Sequence, residues 1–173
     1  YRLGAIDLVL ALLASVIICG LDPFTIWLPH YKDVIKGSPV IFIAGATILI
    51  WISINATNCT DGVDGLSASL SGMAILFLGA ILYAIVGHEP IASYLLVPHY
   101  NQGADWAIMA FVMVGCLTGY LWHNSYPSAV LMGDSGSRPI GLLLGILVLA
   151  CGNPFLILVV AFVVLVNGAT DLI

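Results

Sequence analysis

The sequence predicts an all-α integral membrane protein, folded as a bundle of transmembrane helices. Of its 173 residues, 61% are hydrophobic and only 8% are charged, whereas soluble domains carry roughly 25% charged residues. The apolar stretches are continuous rather than alternating, which excludes a transmembrane β-barrel. The net charge of −5, with only four Lys and Arg residues, argues against nucleic acid, whose phosphates are bound through basic side chains. The expected partner is therefore the lipid bilayer.

Six apolar stretches predict the helices, since a span needs about 20 apolar residues. They cover residues 3–21, 39–56, 66–86, 105–123, 139–151 and 154–170. Residues 22–38 predict a short hairpin or amphipathic turn, and Trp106 and Trp122 bracket the fourth helix as interfacial aromatics. Pro139 fits the first position of the fifth helix, where a missing N–H does no harm. Gly152-Asn153-Pro154 predicts a tight hairpin between the last two helices, because proline cannot continue a helix.

Two acidic, glycine-rich motifs lie at helix ends on one face of the membrane. The first, Asp61-Gly62-Val63-Asp64-Gly65, follows the second helix, and the other, Gly133-Asp134-Ser135-Gly136, precedes the fifth. The chain crosses the membrane twice between them, so the aspartates share a face although they are distant in sequence. Carboxylates at a membrane edge are functional candidates because their burial is costly. The few basic residues are too evenly divided for the positive-inside rule to name this face.

The three aspartates predict a magnesium–diphosphate site. A helix begins just after each motif, and helix N-termini attract phosphate through free N–H groups and the helix dipole. The carboxylates would repel phosphate unless a divalent cation lay between them. Mg²⁺ takes one or two carboxylates and completes its shell with water and substrate phosphates. Gly62 and Gly133 let the backbone approach a ligand closely, and Arg138 is expected to add a charge-assisted contact to phosphate.

A purely structural interpretation of the same residues stays open. Asp-Gly pairs are common in turns, and Asp or Ser beside a helix start is often only a cap. Asn55 and Asn58, near the end of the second helix, could satisfy the backbone or neighbouring helices. Asp7, about one turn into the first helix, is as consistent with ion pairing as with catalysis. Two such motifs on one face of a chain with few charges favour a site.

The motifs resemble those of the polyprenyl-phosphate N-acetylhexosamine-1-phosphate transferases. The matching residues are Asn55-x-x-Asn58-x-Thr60-Asp61-Gly62-x-Asp64-Gly65-Leu66 and Met132-Gly133-Asp134-x-Gly136-Ser137. The Thr-Asp-Gly-x-Asp-Gly form, with Asn124-x-Tyr126-Pro127 ahead of the second motif, resembles most the phospho-N-acetylmuramoyl-pentapeptide transferases, the MraY branch. The resemblance extends over nearly the whole chain through matching helix order.

The resemblance implies a fold of ten helices around a cytoplasmic cleft, of which this chain supplies about six. The family's Asp-Asp and His-rich motifs would lie beyond Tyr1 and Ile173. We therefore expect an interior fragment, a single transmembrane domain over residues 1–173 with the N- and C-terminal parts missing. The resemblance also implies a short periplasmic hairpin at residues 22–38, a multi-pass protein of the bacterial inner membrane, and a homodimer. The acidic face is then cytoplasmic.

The implied activity transfers phospho-MurNAc-pentapeptide from UDP-MurNAc-pentapeptide to undecaprenyl phosphate, with Mg²⁺ as cofactor, giving lipid I and UMP. In the family, the position of Asp134 is the Mg²⁺ ligand, and those of Asp61 and Asp64 are essential carboxylates, so all three are the expected catalytic residues. The resemblance and the chemistry of the motifs together give the expected substrate-binding residues. These are Asn55, Asn58, Gly62, Asn124, Gly133, Ser137 and Arg138.

Two departures from the family pattern and two alternative functions remain. Leu131 stands where many members place a phenylalanine that stacks on uracil, and Arg138-Pro139 replaces a commoner Leu or Met. A sister enzyme acting on UDP-N-acetylglucosamine would carry similar motifs. An ion-coupled transporter is the alternative of another class, but such proteins often show internal repeats and mid-span breaks. Here the acids lie at helix ends.

Overall fold

A computed structural model describes residues 2–21, 38–97 and 99–170 of the chain. The helices are α1 (Arg2–Leu21), α2 (Pro39–Thr60), α3 (Leu66–Ile81), α4 (Glu89–Tyr94), α5 (Gly103–Asn124), α6 (Asp134–Ala150), α7 (Leu156–Val160) and α8 (Phe162–Thr170). A single π-helical turn, Leu82–Val86, continues α3. No strand occurs in these ranges, so the predicted all-α architecture is confirmed.

Within the part of the chain that the structure describes, three helical segments are long and apolar enough to cross a membrane, and the chain is a membrane protein. They are Pro39–Thr60, Leu66–Val86 and Gly103–Asn124, and α1 carries a shorter apolar stretch, Gly4–Gly20. Large apolar side chains such as Ile17 and Val112 are about 60% exposed on the outside of the bundle, as lipid contact requires. The predicted spans at 39–56, 66–86 and 105–123 are confirmed within a few residues. The predicted hairpin at 22–38 lies, apart from Ser38, outside the described residues.

Helix α6 begins at Asp134, so the predicted start at Pro139 is wrong. Gly133 precedes the helix with a φ of 62°, and its carbonyl accepts the N–H groups of Gly136 and Ser137, both at 3.1 Å. Pro139 lies inside the helix. The N–H it lacks would have bonded to the carbonyl of Ser135, and Ser135 is an exposed residue, so water can take the place of that partner. The earlier start places Asp134 in the first helical turn, where the helix dipole favours a carboxylate.

The segment predicted as one helix over 154–170 is two short helices that meet at Ala161. The predicted turn before it is confirmed, since Gly152 has a φ of 71° and the Asn153 side chain accepts the Phe155 N–H at 3.0 Å. The tight pairing predicted between this segment and α6 is wrong, because α8 packs mainly on α2. A Cβ added at Gly168 would lie 2.7 Å from Ala56 Cα. Such close contact between small residues favours helix association in membranes.

Helix α2 is the centre of the bundle and packs against α1, α6 and α8. The backbones of α2 and α6 approach so closely that a Cβ on Gly141 would lie 2.7 Å from Ile54 Cα. Next to this contact, the Ser53 hydroxyl donates a hydrogen bond of 2.8 Å to the Gly141 carbonyl. This packing sets the end of α2 beside the start of α6, and both acidic motifs therefore lie at one edge of the bundle.

Candidate active site

The side chain of Asn58 joins the end of α2 to the start of α6. Its Nδ2 donates to Asp134 Oδ1 at 2.9 Å and to Ser137 Oγ at 3.0 Å, so both amide hydrogens are used. The Ser137 hydroxyl in turn donates to the Gly133 carbonyl at 3.1 Å. Four residues that the sequence analysis placed in the site are thus brought together, and Asp134 is held in one orientation.

Asp134 also forms an ion pair with Arg138, one helical turn further along α6. Arg138 Nη2 lies 3.2 Å from Asp134 Oδ2, while Nη1 lies 2.6 Å from Asp7 Oδ2 on α1. The Asp134 side chain is 62% exposed, whereas that of Asp7 is only 4% exposed. The hydrogen bond from Asn58 and the charge of Arg138 lower the pKa of Asp134. Asp134 is therefore an ionised, accessible carboxylate.

Asp61 reaches the same region from the loop after α2. Its carboxylate lies near the backbone N–H of Gly133, the residue before Asp134, and this N–H favours the charged form of Asp61. Burial raises the pKa of Asp61; the Gly133 N–H opposes this effect, and the negative charge of Asp134 adds to it. Asp61 and Asp134 are thus close enough to interact electrostatically, while the expected convergence of all three aspartates on one ligand stays a prediction. Two neighbouring carboxylates of this kind favour a cation between them.

Asp64 lies at the outer side of the site and contacts the loop between α5 and α6. The Ser128 hydroxyl donates to its Oδ1 at 3.0 Å. The Tyr120 side chain is close enough to Asp61 and Asp64 for their carboxylate charges to act on its hydroxyl group. Sequence reasoning missed Ser128, for which the chain offers no signal. It also missed Tyr120, although Tyr120 precedes Asn124 by one helical turn and therefore lies on the same face of α5.

The Asn124 side chain joins the loop between α2 and α3 to the loop between α5 and α6. It is 5% exposed, its Oδ1 accepts the Gly65 N–H at 2.8 Å, and its Nδ2 donates to the Val130 carbonyl at 2.7 Å. One side chain thus connects the loop carrying Asp64 to the loop before Asp134. The structure uses this amide as a tether, and the substrate-binding role expected for Asn124 stays a prediction.

Two further expected substrate-binding residues, Asn55 and Gly62, form no side-chain hydrogen bond with Asp61, Asp64 or Asp134. Asn55 donates its Nδ2 to the Trp51 carbonyl of its own helix at 2.7 Å. Gly62 is exposed, and a Cβ there would meet nothing nearer than the Cys59 carbonyl at 4.0 Å. The N–H of Gly65, at the start of α3, is already bonded to Asn124. This helix start therefore offers phosphate fewer free donors than predicted.

The carboxylates present fit a magnesium ion. Within residues 2–21, 38–97 and 99–170, no three His, Cys, Asp or Glu side chains are grouped closely enough to hold a metal by themselves. Mg²⁺ does not require such a group, because it is bound through one or two carboxylates and keeps water and substrate oxygens. Asp134 and Asp61 supply that number. Each ionised carboxylate has about four lone-pair sites, so the protein hydrogen bonds leave Asp134 able to bind a cation.

Comparisons with known proteins identify the family of this chain. Residues 4–152 match glycosyl transferase family 4. A phospho-N-acetylmuramoyl-pentapeptide-transferase of Treponema pallidum is 49% identical over 176 residues, which cover all of this chain and 48% of that protein. A protein of the same name from Campylobacter lari is 39% identical over 137 residues, covering 79% of this chain and 39% of the relative. One from Sulfurimonas denitrificans is 35% identical over 159 residues, covering 91% and 44%.

The chain spans about half the length, or less, of the curated relatives it matches. The family match over residues 4–152 nevertheless includes both acidic motifs and every side chain of the site described above. The resemblance to the phospho-N-acetylmuramoyl-pentapeptide transferases is confirmed, and the chain belongs to glycosyl transferase family 4.

Proposed function

We propose that the protein containing this chain transfers phospho-MurNAc-pentapeptide from UDP-MurNAc-pentapeptide to undecaprenyl phosphate, forming lipid I and releasing UMP. The observation that carries the proposal is the convergence of Asp134, Asn58 and Asp61 at one edge of an apolar bundle. A site at a membrane edge can meet both a water-soluble nucleotide and a lipid phosphate. The 49% identity to a transferase of that name supports the choice of substrate.

In the proposed reaction, an oxygen of the lipid phosphate attacks the sugar-linked phosphorus. A new P–O bond forms there, the P–O bond to UMP breaks, and UMP leaves with the bonding electrons. Asp134 and Asp61 would hold Mg²⁺, which supplies charge neutralisation at the diphosphate. Asn58 keeps the Asp134 carboxylate oriented before substrate arrives. Asp64 completes the acidic surface on the outer side, where Ser128 holds it.

The proposal also includes the membrane location and the residues around the diphosphate. The protein would lie in the plasma membrane of a bacterium as a multi-pass protein, with the acidic edge facing the cytoplasm, where a UDP-linked sugar is available. Gly133 and Arg138, before and after Asp134 in the sequence, would contact the diphosphate. Ser137 is fully buried and bonded to Asn58 and Gly133, so it would support Asp134 from inside rather than contact the substrate. A homodimer stays a prediction from the family resemblance.

The test uses the full-length protein in detergent with UDP-MurNAc-pentapeptide, undecaprenyl phosphate and Mg²⁺. The expected result is Mg²⁺-dependent release of UMP with formation of lipid I. Asp134→Asn should reduce the rate by about 100-fold or more, the usual cost of removing one electrostatic contributor from such a site. Asp105→Asn is the matched control, since Asp105 is also an exposed aspartate in the first turn of a helix, α5.

Each other outcome has a definite meaning. Full turnover by Asp134→Asn would show that the metal assignment is wrong. Turnover of UDP-N-acetylglucosamine without turnover of the muramoyl substrate would assign the protein to the sister activity. Release of no UMP from either nucleotide would contradict the proposal as a whole.

A further inference from the structure

A buried ion pair between Asp7 and Arg138 lies next to the site, among packed side chains of α1, α2 and α6. Asp7 is 3% exposed, and its Oδ2 lies 2.6 Å from Arg138 Nη1. One turn further along α1, Ala11 is fully buried and packs with Ile54 of α2. A buried carboxylate is costly unless it is paired, so the contact with Arg138 is what allows Asp7 to occupy this interface.

Arg138 divides its two terminal nitrogens between two carboxylates. Nη1 bonds to the buried Asp7, and Nη2 lies 3.2 Å from the exposed Asp134. A guanidinium is always charged, and its planar fork suits two directed contacts of this kind. Because Asp7 balances the charge of Arg138 from inside the bundle, Asp134 need not be the sole counter-ion of the arginine. Its negative charge remains available on the side that faces water.

We propose that Asp7 is a positioning residue for the site: it holds the Arg138 guanidinium and neutralises its charge, so that Asp134 can bind a divalent cation. The inference rests on the proposed function only for the role of Asp134 as a metal ligand. Without Asp7, the carboxylate that Arg138 still contacts among the described residues is Asp134, and the guanidinium brings an unbalanced positive charge to the site. Both effects would weaken the binding of a metal cation at Asp134.

The test measures Mn²⁺ binding to the full-length protein in detergent, by the electron paramagnetic resonance signal of free Mn²⁺ and without substrates. Asp7→Asn keeps the size of the side chain and removes its charge. We expect it to weaken Mn²⁺ binding by about tenfold, since the unbalanced charge of Arg138 would lie beside Asp134 and would repel a doubly charged ion even where water screens the interaction. Asp7→Glu, which restores the charge, should recover most of the affinity.

A double variant separates this role from a loss of folding. In Asp7→Leu with Arg138→Leu the whole pair is replaced by apolar side chains, a change that buried pairs often tolerate. Mn²⁺ binding should return to within about threefold of the wild type, because the competing arginine is also gone. A thermal unfolding curve for each variant verifies that the protein is folded, and Asp7→Ser replaces Asp7→Asn if the latter does not fold.

Four outcomes of these measurements decide between the inference and its alternatives. Wild-type Mn²⁺ affinity in folded Asp7→Asn or Asp7→Ser would overturn the inference, as would a double variant that binds no better than the single one. If Asp134→Asn itself binds Mn²⁺ normally, the metal site of the proposed function fails instead. Loss of binding in Asp134→Asn and in the Asp7 single variant, with recovery in the double variant, supports both.

Discussion

Replacing Gly141 with alanine tests the close packing that brings α2 and α6 to the site. The new Cβ would lie 2.7 Å from Ile54 Cα and from the Ser53 carbonyl oxygen, and these backbone atoms cannot rotate away. Ordinary contact begins at 3.4 Å, so α6 must move by about 0.7 Å. Overpacking of this kind costs about 1–3 kcal/mol in the free energy of unfolding. The Ser53–Gly141 hydrogen bond of 2.8 Å would lengthen to the limit of hydrogen bonding.

The same movement displaces Asp134 from Asn58, and a shift of about 1 Å in a catalytic group reduces turnover by up to about 100-fold. The measurements are the unfolding free energy from SDS titration in mixed micelles and the rate of UMP release. Gly119→Ala is the control, because a Cβ at this exposed glycine of α5 meets nothing within 4 Å. It should stabilise the helix by about 0.5–1 kcal/mol. Equal unfolding free energies for the two variants would refute the packing argument.

Two further predictions concern the loops and the charge of the site. Asn124→Ala leaves the Gly65 N–H and the Val130 carbonyl without their partner, and we expect a loss of about 1–3 kcal/mol by the same titration. Exposed Ser125→Ala, as the control, should cost little. Burial is the main reason that the pKa of Asp61 is raised above its usual value of 3.8. The Gly133 N–H lowers it in part, and the negative charge of Asp134 raises it further. The folded state therefore favours its neutral form, and with divalent cations removed the unfolding free energy should fall as pH rises from 3.8 to the raised pKa. Asp61→Asn should remove that part of the pH dependence, and an unchanged slope would contradict it.

The helices were predictable where composition alone decides them. Long apolar runs with few charges define α2, α3 and α5, and the alternation of crossings places Asp61 and Asp134 on one face without any coordinates. The start of α6 was not predictable in this way, since proline usually marks a first turn. Here Gly133, with its positive φ, precedes a helix that begins at Asp134, and Ser135, whose carbonyl loses its helical partner to the proline, is an exposed residue.

The supporting contacts of the site depend on packing that no sequence pattern encodes. The fork of Arg138 between Asp7 and Asp134 requires α1 and α6 to pack on the same helix, α2, and Asp7 and Arg138 are 131 residues apart in the sequence. The tether formed by Asn124 likewise depends on how two irregular loops approach one another. In both cases the residue type indicated a polar role, but the partner could be identified only from the folded structure.

The hydrogen bond from Ser53 to Gly141 also constrains biogenesis. Its acceptor is synthesised 88 residues after its donor, which corresponds to about 4–18 s at ordinary rates of translation. During that interval the hydroxyl can bond back to the carbonyl one turn earlier in its own helix, that of Leu49. The Ser53 hydroxyl therefore need not stay without a hydrogen-bond partner in the bilayer before α6 is inserted. When α6 packs on α2, the bond to the Gly141 carbonyl replaces the bond within α2.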